Sequence, residues 1–363
     1  MRFTRFLAAA ALLIAGLGAL PAAGTAAEPW ALPAPTGPLP VGVQQFHLVD
    51  DRPDIWAPER SRELMVSAWY PALAPLGRPA PWATPQEAQL ILALQPLLSE
   101  IDPAQLSDIR THSYVDALRL GVPLPTVVLS PGFSMSRFTL TGLAEELASR
   151  GYLVIGIDHT YEAAAVTFPD GRIAECLACR GELDAERVAR NRAEDVSFVL
   201  DELTPRLPID PERIAMGGHS AGGFTAPPAL ALDTRIRAGF NMDGTFPTPP
   251  ADRATQQPFL MLGAPHHAPG GENSAKWSAA YTAFTGWKRW LVLDGTNHSS
   301  FTDYGPIADH LGIEIPGTTL DGTRAMTLTR ACVTAFLDHH LRGLPAPILD
   351  GPTPANPELR FGS

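Results

Sequence analysis

The chain reads as an α/β fold, a mostly parallel, doubly wound sheet with helices on both faces. Short apolar runs rich in β-branched residues alternate along it with helical patterns. The central runs, Thr126-Val127-Val128-Leu129 and Leu153-Val154-Ile155, are apolar at every position, as strands buried on both faces must be. The chain has 363 residues, 45% hydrophobic and 18% charged, enough to bury one large core.

Before the first strand come two segments of another kind. Met-Arg-Phe-Thr-Arg, an apolar run from Phe6 to Leu20 and small residues to Ala27 have the order of a secretory signal peptide. Residues 1–27 are therefore expected to be removed after Ala26 or Ala27, and the mature protein to be secreted or periplasmic. The run is too short and too rich in glycine to favour a permanent membrane span. Residues 28–40 hold five prolines and predict an extended lead-in.

The main α/β domain is then expected over 41–343. Its strands fall at 42–48, 64–70, 125–130, 152–157, 212–217, 236–242, 258–262 and 289–294. The first two have no helix between them, so they predict an antiparallel start. Helical patterns occupy 138–149, 184–204, 220–232, 274–285 and 323–342, the last stopped by Gly343. Pro227-Pro228 should kink the helix that begins at Ser220. Residues 76–120 break the alternation as a helical insertion. Its stretch from Thr84 to Glu100 carries Leu90, Ile91, Leu92, Leu94, Leu97 and Leu98 on a broad apolar face, which reads as a helix packed on the domain or as a lid. A proline-rich tail, 344–363, is expected along the surface.

Charge excludes one class of partner. The net charge is −11 and the pI about 5.3, so no basic surface recommends nucleic acid. Removing residues 1–27 takes away Arg2 and Arg5 and no acid, which moves the charge to −13. Contact with a membrane or lipoprotein surface would be transient and apolar. Three cysteines are too few for a disulfide scaffold, and no zinc spacing accompanies Cys176-Leu-Ala-Cys179, so no metal is expected. In an exported protein that pair reads as a local disulfide, and Cys332, in an apolar helix, as a buried thiol.

The chemistry concentrates after the strand Arg213-Ile214-Ala215-Met216-Gly217. There Gly218-His219-Ser220-Ala221-Gly222 is the G-x-S-x-G elbow of the α/β-hydrolase fold, in the strand–turn–helix context it requires. A serine hydroxyl needs a base to take its proton and an acid to orient that base, in the chain order Ser, acid, His. His298 follows the last strong strand, at the sheet edge where Ser220 emerges, whereas His310, His339 and His340 sit on or near helices. His266 and His267 follow the 258–262 strand and could line the pocket. The residues leave two acids open, Asp243 after the 236–242 strand and Glu272 in a glycine-rich loop. Asp294 and Asp303 flank His298 too closely. An oxyanion needs two N–H donors. Ala221, after the nucleophile, supplies one, and Phe133 in Ser130-Pro131-Gly132-Phe133-Ser134 the other, since Pro131 has none.

These residues resemble the platelet-activating-factor acetylhydrolase family, a secreted phospholipase-like branch of the α/β hydrolases. The likeness rests on Trp69-Tyr70-Pro71, the Ser130 loop, Gly218 to Gly223, Met242-Asp243 and the run from Gly295 through His298 to Asp303. It implies Asp243 as the acid, 23 residues beyond the serine, and the Phe133 and Ala221 amides as the oxyanion donors. It also implies no cofactor and a short-acyl ester, lipid or phospholipid, as substrate. The chain departs from the family at Pro131, where His is common, and in 76–120 and the CxxC loop. A broad carboxylesterase, lipase or polyester hydrolase with the same triad is the alternative, and a secreted lipid-binding protein without catalysis the more distant one.

Overall fold

A computed structural model describes residues 29–94 and 101–362. The signal-peptide reading and residues 95–100, the end of the stretch predicted from Thr84 to Glu100, lie outside them. Strands β1 (Val41–Pro53) and β2 (Ser61–Pro71) pair antiparallel, with Val41 opposite Pro71 and Asp50 opposite Arg62. From the insertion, β3 (Pro79–Pro81) and β4 (Arg110–Val115) extend that edge, β4 parallel to β1 and β3 antiparallel to β4. The core begins with β5 (Leu124–Ser130) and β6 (Leu153–His159), while β7 (Ala165–Thr167) and β8 (Ile173–Glu175) make a separate ribbon. Four more strands, β9 (Ile209–His219), β10 (Ile236–Met242), β11 (Phe259–Gly263) and β12 (Lys288–Leu293), complete the parallel part. The tail contributes β13 (Leu359–Phe361), antiparallel to β12. The sheet order among the described residues is β13-β12-β11-β10-β9-β5-β6-β2-β1-β4-β3.

Neighbouring residues in β5 point to opposite faces. Val128 joins Ile155 and Met216 under helices Ala185–Leu203, Ala221–Leu232 and Ser274–Ala283. Val127 and Leu129 join Val154 and Phe240 under Thr141–Ser149 and Gly322–Arg342. Apolar surface on both sides of one strand requires helices on both sides, and this is the doubly wound arrangement the runs predict.

Prolines 227 and 228 lie inside the helix Ala221–Leu232, which the chain continues through rather than ending there. Each lacks the N–H that would reach back four residues. The flanking bonds, Phe224 N–H to Ser220 O at 3.0 Å and Asp233 N–H to Ala229 O at 2.9 Å, hold the two ends.

The insertion packs. Ala88, Ile91 and Leu92 of helix Pro85–Leu94 are buried with Leu32 of the lead-in, Trp82, Met135, Phe138 and Tyr304. The lead-in is tied in as well, by a bridge between Ala31 and Arg110 and by Trp30 stacked on His310 at 4.4 Å. A cavity of about 640 Å³ lies between the insertion and β1–β2, lined by Trp69, Arg78, Trp82, Glu87, Arg137 and Phe168 among others. None of Ser220, Asp243 or His298 lines it. Cys176 and Cys179 are disulfide-bonded beside β8, and burial pushes the Cys332 thiol up to about 12. No described helix is long and apolar enough to cross a membrane.

Candidate active site

Parallel strands leave their carboxyl ends as one edge, and the chain must turn there before each helix. Ser220 follows β9, the central strand of that edge, at φ 53° and ψ −116°. A non-glycine residue held at positive φ is strained, so its surroundings must enforce the turn. They do so by close approach. A Cβ on Gly218 would lie 1.8 Å from the Ser130 carbonyl oxygen, and one on Gly222 would meet the same atom at 1.8 Å. Only glycine lets β5 and the elbow come this close. The Ser220 N–H donates to Met242 O at 2.8 Å, which fastens the turn to β10.

His298 begins a short helical turn, His298–Phe301, after β12. Its Nε2 stands 2.9 Å from Ser220 Oγ and its Nδ1 2.6 Å from Asp243 Oδ2. The side chain is 45% exposed, open to a ligand, whereas Asp243 is fully buried just beyond β10. Asp243 itself adopts φ 60°. The Ala264 N–H donates to its Oδ1 at 2.7 Å and His267 Nδ1 contacts the same oxygen at 2.8 Å. His266 Nε2 lies 3.3 Å from Oδ2. Burial pushes the Asp243 carboxyl up, but the hydrogen bonds from His266, His267 and His298 together hold it well below the usual carboxylate range. An ionised, buried carboxylate fixes a neighbouring imidazole with its proton on Nδ1 and leaves Nε2 free to accept from a hydroxyl.

Two further histidines are locked in place. His267 stacks on Trp277 with centroids 4.4 Å apart, and its Nε2 lies 2.8 Å from Thr245 Oγ1. His219, within the elbow, lies with Nε2 2.8 Å from the His298 carbonyl oxygen, to which it donates. Burial and the nearby His298 push His219 down to about 3, so it is neutral at pH 7. The hydrogen bond to Asp243 moves His266 the other way, upward.

Asp243, His266 and His267 also bring ligand atoms within 4.8 Å of one another, a grouping that no zinc spacing in the sequence announces. By residue type they suit a cation. Here, however, His267 Nδ1 is engaged by Asp243 and Nε2 by Thr245, and both Asp243 oxygens already accept.

The Phe133 and Ala221 amides meet no hydrogen-bond acceptor among the described residues. Ala221 opens the helix after the serine, where the first N–H groups have no partner within the helix. Phe133 sits in a loop whose next residue, Ser134, takes φ 63° and donates its N–H to Glu162 O at 2.9 Å. An unpaired N–H next to a serine is the kind of donor an oxyanion needs.

Of the residues singled out from sequence, Ser220, Asp243 and His298 converge in one hydrogen-bonded line. Ala221 directly follows the serine, and Phe133 lies in the loop after β5, the strand whose Ser130 carbonyl packs against the elbow. Glu272 is exposed and makes no hydrogen bond with His298. Asp294 pairs with Arg360 at 2.5 Å, and Asp303 is buried against Trp82 Nε1 at 3.0 Å. The support that His266 and His267 give Asp243 is legible only as a pair of histidines after a strand.

A family model described as platelet-activating factor acetylhydrolase, isoform II, matches residues 173–344. A probable 1-alkyl-2-acetylglycerophosphocholine esterase of Arthroderma benhamiae is 27% identical, over 91% of this chain and 93% of its own length. The platelet-activating factor acetylhydrolase of Cavia porcellus is 26% identical over 62% of this chain and 59% of its own. Among solved structures, a ferulic acid esterase from Streptomyces cinnamoneus is 42% identical with a TM-score of 0.84, covering 92% of this chain and 99% of that one.

Proposed function

The chain belongs to the platelet-activating-factor acetylhydrolase-like family of α/β-hydrolase serine esterases, and from that premise we propose how this carboxylic-ester hydrolase works and on what. Ser220 attacks the ester carbonyl as His298 Nε2 takes its proton. Asp243 orients the imidazole and stabilises the imidazolium that forms. The Phe133 and Ala221 N–H groups receive the charge that develops on the carbonyl oxygen. His298 returns the proton to the leaving alkoxide, and the acyl group stays on Ser220 Oγ. Water, deprotonated by the same His298, attacks the acyl carbon, and His298 returns that proton to Ser220 Oγ as the acid leaves. The observation that carries this reading is the continuous line Ser220 Oγ, His298 Nε2, His298 Nδ1, Asp243 Oδ2, at 2.9 and 2.6 Å.

The substrate is proposed to be a short-acyl ester, with phospholipid acetyl esters supported by the relatives' names. A second reading, a hydroxycinnamoyl ester, is favoured by the esterase that is 42% identical over nearly its whole chain. We further propose that residues 1–27 are a cleaved signal peptide and that the enzyme works outside the cytoplasm, a reading supported by the basic, apolar and small-residue order of that segment. Parallel turnover of p-nitrophenyl acetate, a 1-alkyl-2-acetyl phosphocholine lipid and methyl ferulate tests the substrate. The acetyl reading expects kcat/KM on the first two to exceed that on methyl ferulate by at least about tenfold, which is about 1.4 kcal/mol in the transition state. The reverse order selects the hydroxycinnamoyl reading.

A further inference from the structure

We propose that Ser130, His159 and Asp195, together with Arg192, form a buried positioning relay that sets the aim of both oxyanion donors. The Ser130 hydroxyl lies 2.8 Å from His159 Nε2, and His159 Nδ1 lies 2.7 Å from Asp195 Oδ2. The order repeats that of the catalytic line, but these three side chains are at most 1% exposed, so no ester can reach the hydroxyl. They belong to β5, β6 and the helix Ala185–Leu203, which the sheet order brings together next to the elbow.

The direction of each bond follows from charge. Arg62, buried against Asp195 at 2.7 Å, keeps that carboxylate ionised, so it can only accept. His159 therefore donates from Nδ1 and offers Nε2 as acceptor, and the Ser130 hydroxyl must donate to it. The free lone pairs of Ser130 Oγ face Arg192, 3.3 Å away. The same guanidinium donates to the Pro131 carbonyl at 2.6 Å and pairs with Glu162 at 2.6 Å. The Glu162 backbone carbonyl in turn accepts the Ser134 N–H. Both ends of Pro131–Ser134 are thus clamped by one network, and Gly132 and Phe133 lie between the clamps.

Ser130 also reaches the second donor. Its carbonyl oxygen is the atom against which Gly218 and Gly222 are pressed, on either side of the elbow that carries the Ala221 amide. One residue therefore fixes the separation of the two donors. An oxyanion hole works by preorganisation, and a displacement near 1 Å costs up to about a hundredfold in rate.

This inference rests on Phe133 and Ala221 being the oxyanion donors, and the experiment separates the two. Ser130→Ala removes the relay hydroxyl. Arg192→Lys keeps the ion pair with Glu162 but cannot hold both the hydroxyl and the Pro131 carbonyl. Each full-length variant is assayed on p-nitrophenyl acetate and on its thiono analogue, whose sulfur accepts hydrogen bonds poorly. We expect kcat on the oxo ester to fall about tenfold in each variant with KM within about twofold, and the oxo-to-thiono ratio of kcat/KM to fall by a similar factor. A general loosening of the fold would slow both esters alike and leave the ratio in place. An unchanged ratio in both variants overturns the positioning role alone. A wild-type protein with no preference for the oxo ester overturns the assignment of the donors themselves.

Discussion

Replacing Asp243 by Asn is the substitution whose outcome the geometry determines most sharply. The carboxylate accepts on both oxygens, Oδ1 from the Ala264 N–H at 2.7 Å and Oδ2 from His298 at 2.6 Å. An amide has one oxygen and one NH2, so one of these contacts must turn repulsive. The Ala264 donor is backbone and cannot change, whereas an imidazole can shift its proton. The amide oxygen therefore keeps Ala264, and the NH2 faces His298. His298 is forced into the tautomer with Nδ1 as acceptor and Nε2–H pointing at Ser220 Oγ, where it cannot take a proton. Loss of the correct tautomer in a Ser-His-Asp site costs about 10⁴ in kcat, or about 5.4 kcal/mol of transition-state stabilisation. KM on p-nitrophenyl acetate should stay within about threefold, since the substrate does not touch Asp243. Glu272→Gln, at an exposed position, should leave kcat within about twofold. Steady-state kinetics on both variants, with a thermal melt to show that each is folded, decides the matter. An Asp243→Asn enzyme that retains a tenth of wild-type kcat, or a Glu272→Gln enzyme that loses turnover, would refute the reasoning.

Stability should respond to pH through His159. Burial and the Arg192 charge push this imidazole down to about 4 from its ordinary 6.5. The unfolded chain therefore binds a proton that the folded one refuses, and the stabilisation present above pH 6.5 is lost as pH falls toward 4. By urea unfolding, the wild-type protein should lose on the order of 3 kcal/mol more than His159→Gln between pH 7.5 and 4.5. A gap between the two that does not change with pH contradicts this. Exchanging both Cys176 and Cys179 for Ser opens a four-residue loop and should lower unfolding free energy by about 2 kcal/mol. Activity on p-nitrophenyl acetate is expected to persist, and its loss would tie that loop to the active site.

The parts of the fold that could be read from sequence are those with a local physical signature. Eight strands announce themselves because they are apolar on one or both faces, and the elbow because strand, turn and helix are contiguous. The strands that escaped, Pro79–Pro81, Arg110–Val115, Ala165–Thr167, Ile173–Glu175 and Leu359–Phe361, are short or polar and exist because a neighbour pairs with them. The helix Tyr304–Leu311 is hidden by Pro306, which is tolerated in its first turn. The acid shows the limit at the site. Asp243 and Glu272 both follow strands, so local pattern leaves them open; the family resemblance favours Asp243, and its 2.6 Å contact with His298 is visible only in three dimensions. The relay around Ser130 lies beyond sequence reading altogether, since its histidine and aspartate are 29 and 65 residues away along the chain, on separate elements.

The central claim is that Ser220 is the nucleophile. Reaction with a fluorophosphonate, followed by peptide mass mapping, tests it directly, because the adduct forms only on a serine activated by a neighbouring base. The account predicts one adduct per chain, on Ser220, and no labelling or ester turnover above background in Ser220→Ala. A folded protein that hydrolyses p-nitrophenyl acetate while Ser220 stays unmodified, or a Ser220→Ala variant that keeps its turnover, would contradict it.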